Sequence, residues 1–588
     1  MADITKTAAV DTTASVDPEK NAIQESATQQ ASGYESDEKS QDFQGGVQGA
    51  RAMTSVWTNK TLISMFVMLY LVSFIDILLQ SVQSSLNPYI TSSFGKHGLL
   101  NVVSILSTIL SGATKLTLAK IVDIWGRIEG FIVMLLIVTI GLIMKATCQT
   151  IEVYVGAHVL YWTGHIGLMY IIDIMIADMT TLKNRMIIAG INGTPTICST
   201  FAGPKIAELF YTNVNFRWAF GAFAIMQVGI CLPVFLVMLL EQRKAAKQGL
   251  IKPKEASGRN FAQSLWHYFI ELDVIGIILI VAAFSLFLLP FSLVSYSPYG
   301  WKTGYIIAMI IIGILCFPAF ALWEWKVAPV KFIPWKYLKN PTILGSCLLY
   351  AAMFISTFCW NAYFYSYLQV VNRLSITTAG YVLNAYSLSS AVFAPLIGAV
   401  ISYTGDFKWS AIAGVPLMLL GTALLIPLRT PETGPGLITM TQIFVGVGAQ
   451  LFASCGQLAV QVPVTHQEIA VVLAIWGMFG SFGAAIGNAI AGALWNNILP
   501  EQLLLRLPES VKNQSATIYG DMVLQMSYED GTPEREAIVG AYGYLQRRMV
   551  IAGACFMPLC LFAVFVWKNT NIRKLQSEQG IQTKGRVF

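Results

Sequence analysis

The amino-acid sequence predicts an all-α polytopic membrane protein with fourteen transmembrane helices, arranged as two six-helix halves plus two inserted helices. Three observations predict it. Of 588 residues, 55% are hydrophobic and only 12% are charged, where a soluble domain is about a quarter charged. The apolar residues come in long blocks, and a block of about 18 or more is enough to cross the hydrocarbon layer as a helix. A loop pattern between the second and third blocks also recurs, worn, in the second half of the chain, as expected of a membrane protein built from tandem repeats.

The blocks lie near 60–84, 99–120, 130–148, 153–178, 186–210, 217–240, 272–294, 304–323, 342–370, 377–402, 409–428, 437–461, 468–495 and 547–567. Residues 1–55 are rich in Ser, Thr, Gln, Asp and Glu. Such a segment cannot bury enough apolar surface to offset its ordering entropy, so it reads as a disordered cytosolic tail. It lacks the basic start and apolar stretch of a cleaved leader, which leaves the first span as the targeting signal.

Orientation follows from the loops. Arg243, Lys244, Lys247, Lys252, Lys254 and Arg259 fall in the linker 241–271. Lys326, Lys331, Lys336 and Lys339 precede the ninth span, and Lys568, Arg573, Lys574, Lys584 and Arg586 fill the tail 568–588. Short basic loops stay cytoplasmic, so both termini are expected in the cytosol. The halves then cover 56–240 and 326–567, the inserted helices 272–325, and the segment 496–546 becomes an extracellular loop with an acceptor triplet at Asn513.

The nine cysteines are scattered through apolar runs without paired spacing, so neither a disulfide framework nor a metal site is expected. No basic, aromatic-rich segment suggests nucleic acid. No nucleophile–base set appears, so an enzyme is not expected.

Between spans 2 and 3 lies AKIVDIWGR, residues 119–127. The major facilitator signature here is G-x-x-x-D-x-x-G-R-[RK]; Asp123, Gly126 and Arg127 match it, whereas Ala119 and Ile128 do not. A carboxylate near a helix end and a guanidinium that bridges helices suit a gating turn. A plain positive-inside turn is the other reading. The echo is GAVISYTGD, 398–406, in which Gly398 and Gly405 hold the spacing of Ala119 and Gly126, and Ser402 stands where Asp123 stood.

Polar residues inside spans are costly and by default face a cavity or a partner. Asp76, Gln80, Gln83 and Asn87 recur on one face of span 1, and Tyr154, His158, Tyr161, His165 and Asp173 form a stripe on span 4. Asn361, Tyr365 and Gln369 follow at steps of four on span 9. A lone intramembrane histidine is more often a packed hydrogen-bonder than a relay, but three stripes on separate helices point to a water-filled path. Counting rise along the helices places Asp76, His158 and His165 at similar depth, so Asp76, His158, His165 and Asp173 are candidates for proton coupling. Lys115 is expected to snorkel to the cytosolic interface. Span 5 carries Gly203-Pro204-Lys205, but Ala207 and Glu208 replace the later glycines of the drug–proton antiporter pattern, which counts against a multidrug carrier.

Several segments resemble the fungal siderophore–iron transporters, the siderophore–proton symporters of the major facilitator superfamily. They are LNPYITSSFGKHGLL (86–100), LAKIVDIWGR (118–127), IADMTTLKNR (176–185), YFYSYLQVVNRLSITTAGY (363–381), GALWNNILP (492–500) and AIVGAYGYLQRRMVIAG (537–553). Ala119, Met179 and Lys183 depart from the family pattern. The resemblance implies proton-driven uptake of a ferric hydroxamate, of the fusarinine class, across the plasma membrane or a vesicle membrane by a monomer. It also implies no protein cofactor, because hexadentate chelation already saturates the iron. Gln80, Gln83, Tyr161, Trp360, Asn361, Tyr363, Tyr365 and Gln369 are the expected cavity lining, aromatic faces and hydrogen-bonding groups suited to a large chelate. A fourteen-span drug–proton antiporter and a non-transporting chelate receptor are the rivals.

Overall fold

The computed structural model describes residues 56–180, 184–250, 260–465 and 468–574, without the side chains of Leu100, Asp123 and Phe261. The predicted N-terminal tail, residues 251–259 of the basic linker and the end of the C-terminal tail lie outside the described residues.

The described residues form an all-helical protein. The first half contains α1 (Asn59–Ser93), α2 (Leu100–Ile124), α3 (Arg127–Thr147), α4 (Ile151–Met179), the pair α5 (Arg185–Asn192) and α6 (Pro195–Asn213), and α7 (Phe216–Lys247). Thr58, Thr150 and Asn215 begin α1, α4 and α7, each accepting a hydrogen bond from a backbone amide three residues on, which satisfies an amide orphaned by the helix start. Gly126 separates α2 from α3 at φ 127°, in the region that favours glycine.

The short helix α8 (Phe261–Glu271) leads into α9 (Val274–Leu288), and α10 (Gly304–Leu322) returns. Helix α9 packs on α2 and α10, with Phe284 stacked on Phe482 at a centroid distance of 4.2 Å. The second half contains α11 (Pro341–Asn361), α12 (Phe364–Val370), α13 (Ile376–Thr404), α14 (Phe407–Leu428), α15 (Pro435–Gln461) and α16 (Ile469–Arg506). The short helices α17 (Ser515–Gly520) and α18 (Met522–Ser527) follow, then α19 (Pro533–Ala554) and α20 (Met557–Phe565).

Among the described residues, thirteen helices are long and apolar enough to cross a membrane. The remaining predicted crossing, 186–210, falls on α5 and α6. Pro195 lacks an amide donor and starts a new helix, and Lys205, Glu208 and several hydroxyls dilute the apolar composition of α6. Two further departures concern element ends. The predicted ninth span breaks at Ala362–Tyr363, between α11 and α12. The predicted loop 496–546 is helical at both ends, because α16 runs on to Arg506 and α19 starts at Pro533, with Thr532 accepting from the Arg535 amide. The connection between α16 and α19 is residues 507–532.

The halves meet along two seams, α2 against α16 and α5–α6 against α13. The second is held tight by glycine. A Cβ on Gly190 would lie 2.8 Å from the Pro395 nitrogen, and one on Gly398 would lie 2.8 Å from the Ile187 nitrogen. Backbones that close leave no room for a side chain, and overpacking of this kind costs about 1–3 kcal/mol.

Candidate functional site

The polar stripes of α1 and α4 meet inside the first half. Asp76 is fully buried, and its Oδ2 lies 2.5 Å from His165 Nδ1. The two are in ion-pair contact without the alignment of a hydrogen bond, and Asp76 Oδ1 has no partner among the described residues. Tyr161 stacks on His165 at 5.8 Å, and Trp162 lies 5.0 Å from the same ring. A buried carboxylate without its full complement of hydrogen bonds is costly.

Two turns along α4 from His165, His158 Nδ1 lies 3.0 Å from Lys145 Nζ, which also donates to Gln83 Oε1. Tyr154 donates to Asn87 Oδ1 at 2.5 Å. Asp76, Gln83, Asn87, Tyr154, Tyr161, His158 and His165 therefore belong to one polar layer between α1 and α4, bridged by Lys145 of α3. Sequence reasoning missed Lys145, because a lysine two residues from a helix C-terminus ordinarily reaches the surface and interacts with the helix dipole. Here it is fully buried.

Asp173 does not join this layer. It lies eight residues beyond His165 on α4, about 12 Å along the helix. Its side chain is exposed and faces Lys115 of α2 electrostatically. Lys115 differs from its predicted place as well: its Nζ lies against α16 beside Gly477 rather than at the cytosolic interface. Gln80 is half-buried on the polar face of α1.

The α12 region forms a closed roof instead of the predicted cavity wall. Trp360, Tyr363, Tyr365 and Gln369 are buried. Tyr363 stacks on Trp495 at 3.7 Å and donates to Gly98 O at 3.1 Å. Tyr365 donates to Ile376 O at 3.0 Å, and Gln369 Nε2 donates to Tyr89 Oη at 2.5 Å. His97 joins the halves, with Nδ1 3.2 Å from Ser92 Oγ and Nε2 3.1 Å from Ser366 Oγ. Trp360 instead packs beneath buried Arg429, which donates to its carbonyl at 2.7 Å. Across the halves, His97 meets the Trp495 and Tyr363 rings edge-on at 5.7 and 6.0 Å, so these rings line no opening here. Asn361 is half-buried, with Oδ1 unpartnered.

At the opposite end, Arg185 Nη1 donates to Gln461 Oε1 at 2.7 Å, Tyr170 donates to Ala470 O at 2.5 Å, and Ser402 donates to Asn184 Oδ1 at 3.2 Å. The halves are thus linked above and below the Asp76–His165 layer. In the loop motif, Arg127 pairs with Asp178 at 3.0 Å and donates to Val122 O; the Asp123 side chain lies outside the described ones.

Residues 69–370 match the family model described as Major Facilitator Superfamily. The chain is 61% identical over 572 residues to MFS siderochrome iron transporter 1 of Ajellomyces capsulatus, covering 97% of this chain and 98% of the relative. This chain belongs to the fungal siderophore iron transporters of the Major Facilitator Superfamily. Siderophore iron transporter mirB of Emericella nidulans is 42% identical, with 93% of this chain and 90% of the relative covered. The fold of the transporter also matches the crystal structure of peptide transporter POT in complex with sulfate. The TM-score is 0.53 at 14% identity, over 86% of this chain and 96% of that one.

Two further features of the transporter bear on the sequence reading. Asn513 is exposed on a short 3-10 turn, Lys512–Gln514, sterically open to modification. Among the described residues no group of three or more His, Cys, Asp or Glu could hold a metal ion.

Proposed function

We propose that the transporter imports a ferric siderophore, a hydroxamate of the fusarinine class, together with protons, by alternating access across the plasma membrane or a vesicle membrane. Support for the cargo comes from the relatives, which carry siderochrome or siderophore in their names. Support for proton coupling comes from one observation: a buried carboxylate and a buried histidine in contact, placed between links that join the halves at either end.

The mechanism follows from which state each proton favours. With the roof open, an acidic exterior protonates Asp76–His165 and removes the buried negative charge. Ligand and proton then bias the transporter towards closure only through their different affinities for the two states. With the opposite end open, a near-neutral cytosol withdraws the proton and the cargo leaves. Iron travels as the chelate throughout. On this reading the short basic loops stay cytoplasmic, which keeps both termini in the cytosol, and the transporter works as a monomer.

The test is uptake of radioiron-labelled ferric siderophores, as a panel, in a fungal strain lacking its own carriers. Accumulation should require acid outside and collapse on adding a protonophore. Asp76→Asn should bind chelate and exchange it across the membrane without concentrating it. Protonophore-sensitive accumulation by Asp76→Asn at the wild-type level would refute the assignment of the coupling site.

A further inference from the structure

Lys145 is a buried basic residue that the cycle proposed above does not use. It stands on α3, fully buried, and forms no ion pair with a carboxylate among the described residues. An uncompensated buried ammonium costs several kcal/mol unless its surroundings replace water. The surroundings do so here in an unusual way. Nζ lies 4.4 Å from the Tyr161 ring centroid, 5.0 Å from that of Phe220 and 5.4 Å from that of Tyr154. Three aromatic faces around an ammonium form the cage that recognises cations elsewhere. Gln83 Oε1 and His158 Nδ1 complete the shell. The groups facing Lys145 are therefore Gln83 from α1, Tyr154, His158 and Tyr161 from α4, Phe220 from α7, and Cys148 from its own helix end. None is acidic. Three ring faces, an amide oxygen and an imidazole nitrogen together suit an ammonium.

The cage shares walls with the Asp76–His165 pair. Tyr161 covers Lys145 on one side and stacks on His165 on the other. Trp162 stacks on His158 at 6.0 Å and lies 5.0 Å from His165. The groups facing the pair are Tyr161 and Trp162 from α4 and Cys231 from α7. His158 and His165 are two helical turns apart, about 10 Å along α4, and no counter-charge intervenes.

We propose that Lys145 is a fixed buried cation that, through His158 and the shared aromatic wall, sets how tightly the Asp76–His165 pair holds its proton. It is a positioning residue, touching neither cargo nor transferred proton. Its charge lies about 10 Å from the pair, so it opposes the positive charge that a proton adds there. That repulsion favours proton release to the cytosol. The inference rests on the proton-coupled reading proposed above.

The experiment uses the purified full chain in proteoliposomes, with membrane potential clamped, and follows radioiron-labelled ferric fusarinine-type hydroxamate as external pH is varied. Removing a positive charge lets the pair keep its proton to higher pH. Lys145→Met should move the half-maximal uptake pH upward by about one unit, as expected for charges about 10 Å apart in a protein interior. Lys145→Arg, which keeps the charge, should retain the wild-type midpoint. A purely structural lysine would lower the maximal rate in both and shift neither. Phe220→Leu, which removes one face of the cage and no hydrogen bond, should move the midpoint the same way by less, and it remains informative should Lys145→Met not insert. An unshifted or lowered midpoint in Lys145→Met, or in Phe220→Leu where that is the variant measured, overturns the proposal. If Asp76→Asn still flattens the profile in that case, the coupling reading stands without Lys145. If Asp76→Asn leaves the profile unchanged, the coupling reading itself has failed.

Discussion

Arg185 and Gln461 tie the two halves of the transporter together at the end where α4 and α15 finish. Arg185 Nη1 donates to Gln461 Oε1 at 2.7 Å, and both side chains are buried. Arg185 also donates to Ala177 O and Thr180 O within its own half, so Gln461 supplies the link that crosses between halves. Gln461→Leu should leave one guanidinium nitrogen without its partner at a cost of about 1–3 kcal/mol. The population open at this end should rise about tenfold or more. Alkylation of a cysteine introduced at Ala470, which accepts from Tyr170 beside the link, reads this directly. An unchanged rate would mean that the link does not hold the end closed.

The roof makes a different prediction. Tyr363→Phe keeps the stack on Trp495 and removes only the bond to Gly98 O, so thermal stability should fall by about 1 kcal/mol or less, with uptake near wild type. Tyr363→Ala also removes the ring and leaves a cavity, costing about 3–5 kcal/mol. Melting of the purified pair of variants should separate the two by several degrees. Equal losses would show that the hydrogen bond, not the stack, seals the roof.

The loop motif is tested at Asp178, the partner that Arg127 holds at 3.0 Å. Asp178→Asn weakens that pair while preserving shape. Uptake rate should fall about tenfold, with surface expression and chelate binding retained. Asp123→Asn should behave likewise if the turn acts as a gate. Wild-type rates in both variants would return the motif to a plain cytoplasmic turn.

A fourth prediction concerns acid at the loop 507–532. Arg373, in the left-handed region at φ 56°, donates to Met526 O, Tyr528 O and Asp530 Oδ1. The hydrogen bond from Arg373, aided by the charges of Arg373 and Arg535, holds the Asp530 carboxyl below its ordinary range. A lowered carboxyl contributes stability above its unfolded value, and loses that contribution as pH falls through the folded one. Protease cutting of the loop should therefore stay slow from pH 7 to about 5 and rise only below about 4. Asp530→Asn should remove the acid step. A step at pH 5 to 6 in the wild type would assign loop release to another group.

Most of the fold was legible because each crossing must be a long apolar run, and runs survive in sequence whatever the packing. Element ends were not. Pro195 reads as one residue among many in a predicted span, although its missing amide divides α5 from α6, and nothing in YFYSYLQV marks the break at Ala362–Tyr363. The site was partly legible. Spacing placed Asp76 and His165 on faces that turned out to meet, since helical period and depth are both countable. Lys145 escaped because its cage comes from Gln83, Tyr154, Tyr161 and Phe220, four positions on three other helices. The roof escaped for a related reason: a stripe of Tyr, Trp and Gln looks the same whether it lines a cavity or has closed over one.

That closure has a consequence for selectivity. Tyr363, Trp495 and His97 already satisfy one another's faces, so an arriving molecule competes with the protein for them. Whatever free energy seals the roof is subtracted from the apparent affinity of anything that must part it. Loosening the contacts of His97 with these rings should therefore tighten capture while admitting poorer cargoes, and strengthening them should do the reverse. Sealing and discrimination are then one quantity, adjusted where one histidine meets two rings.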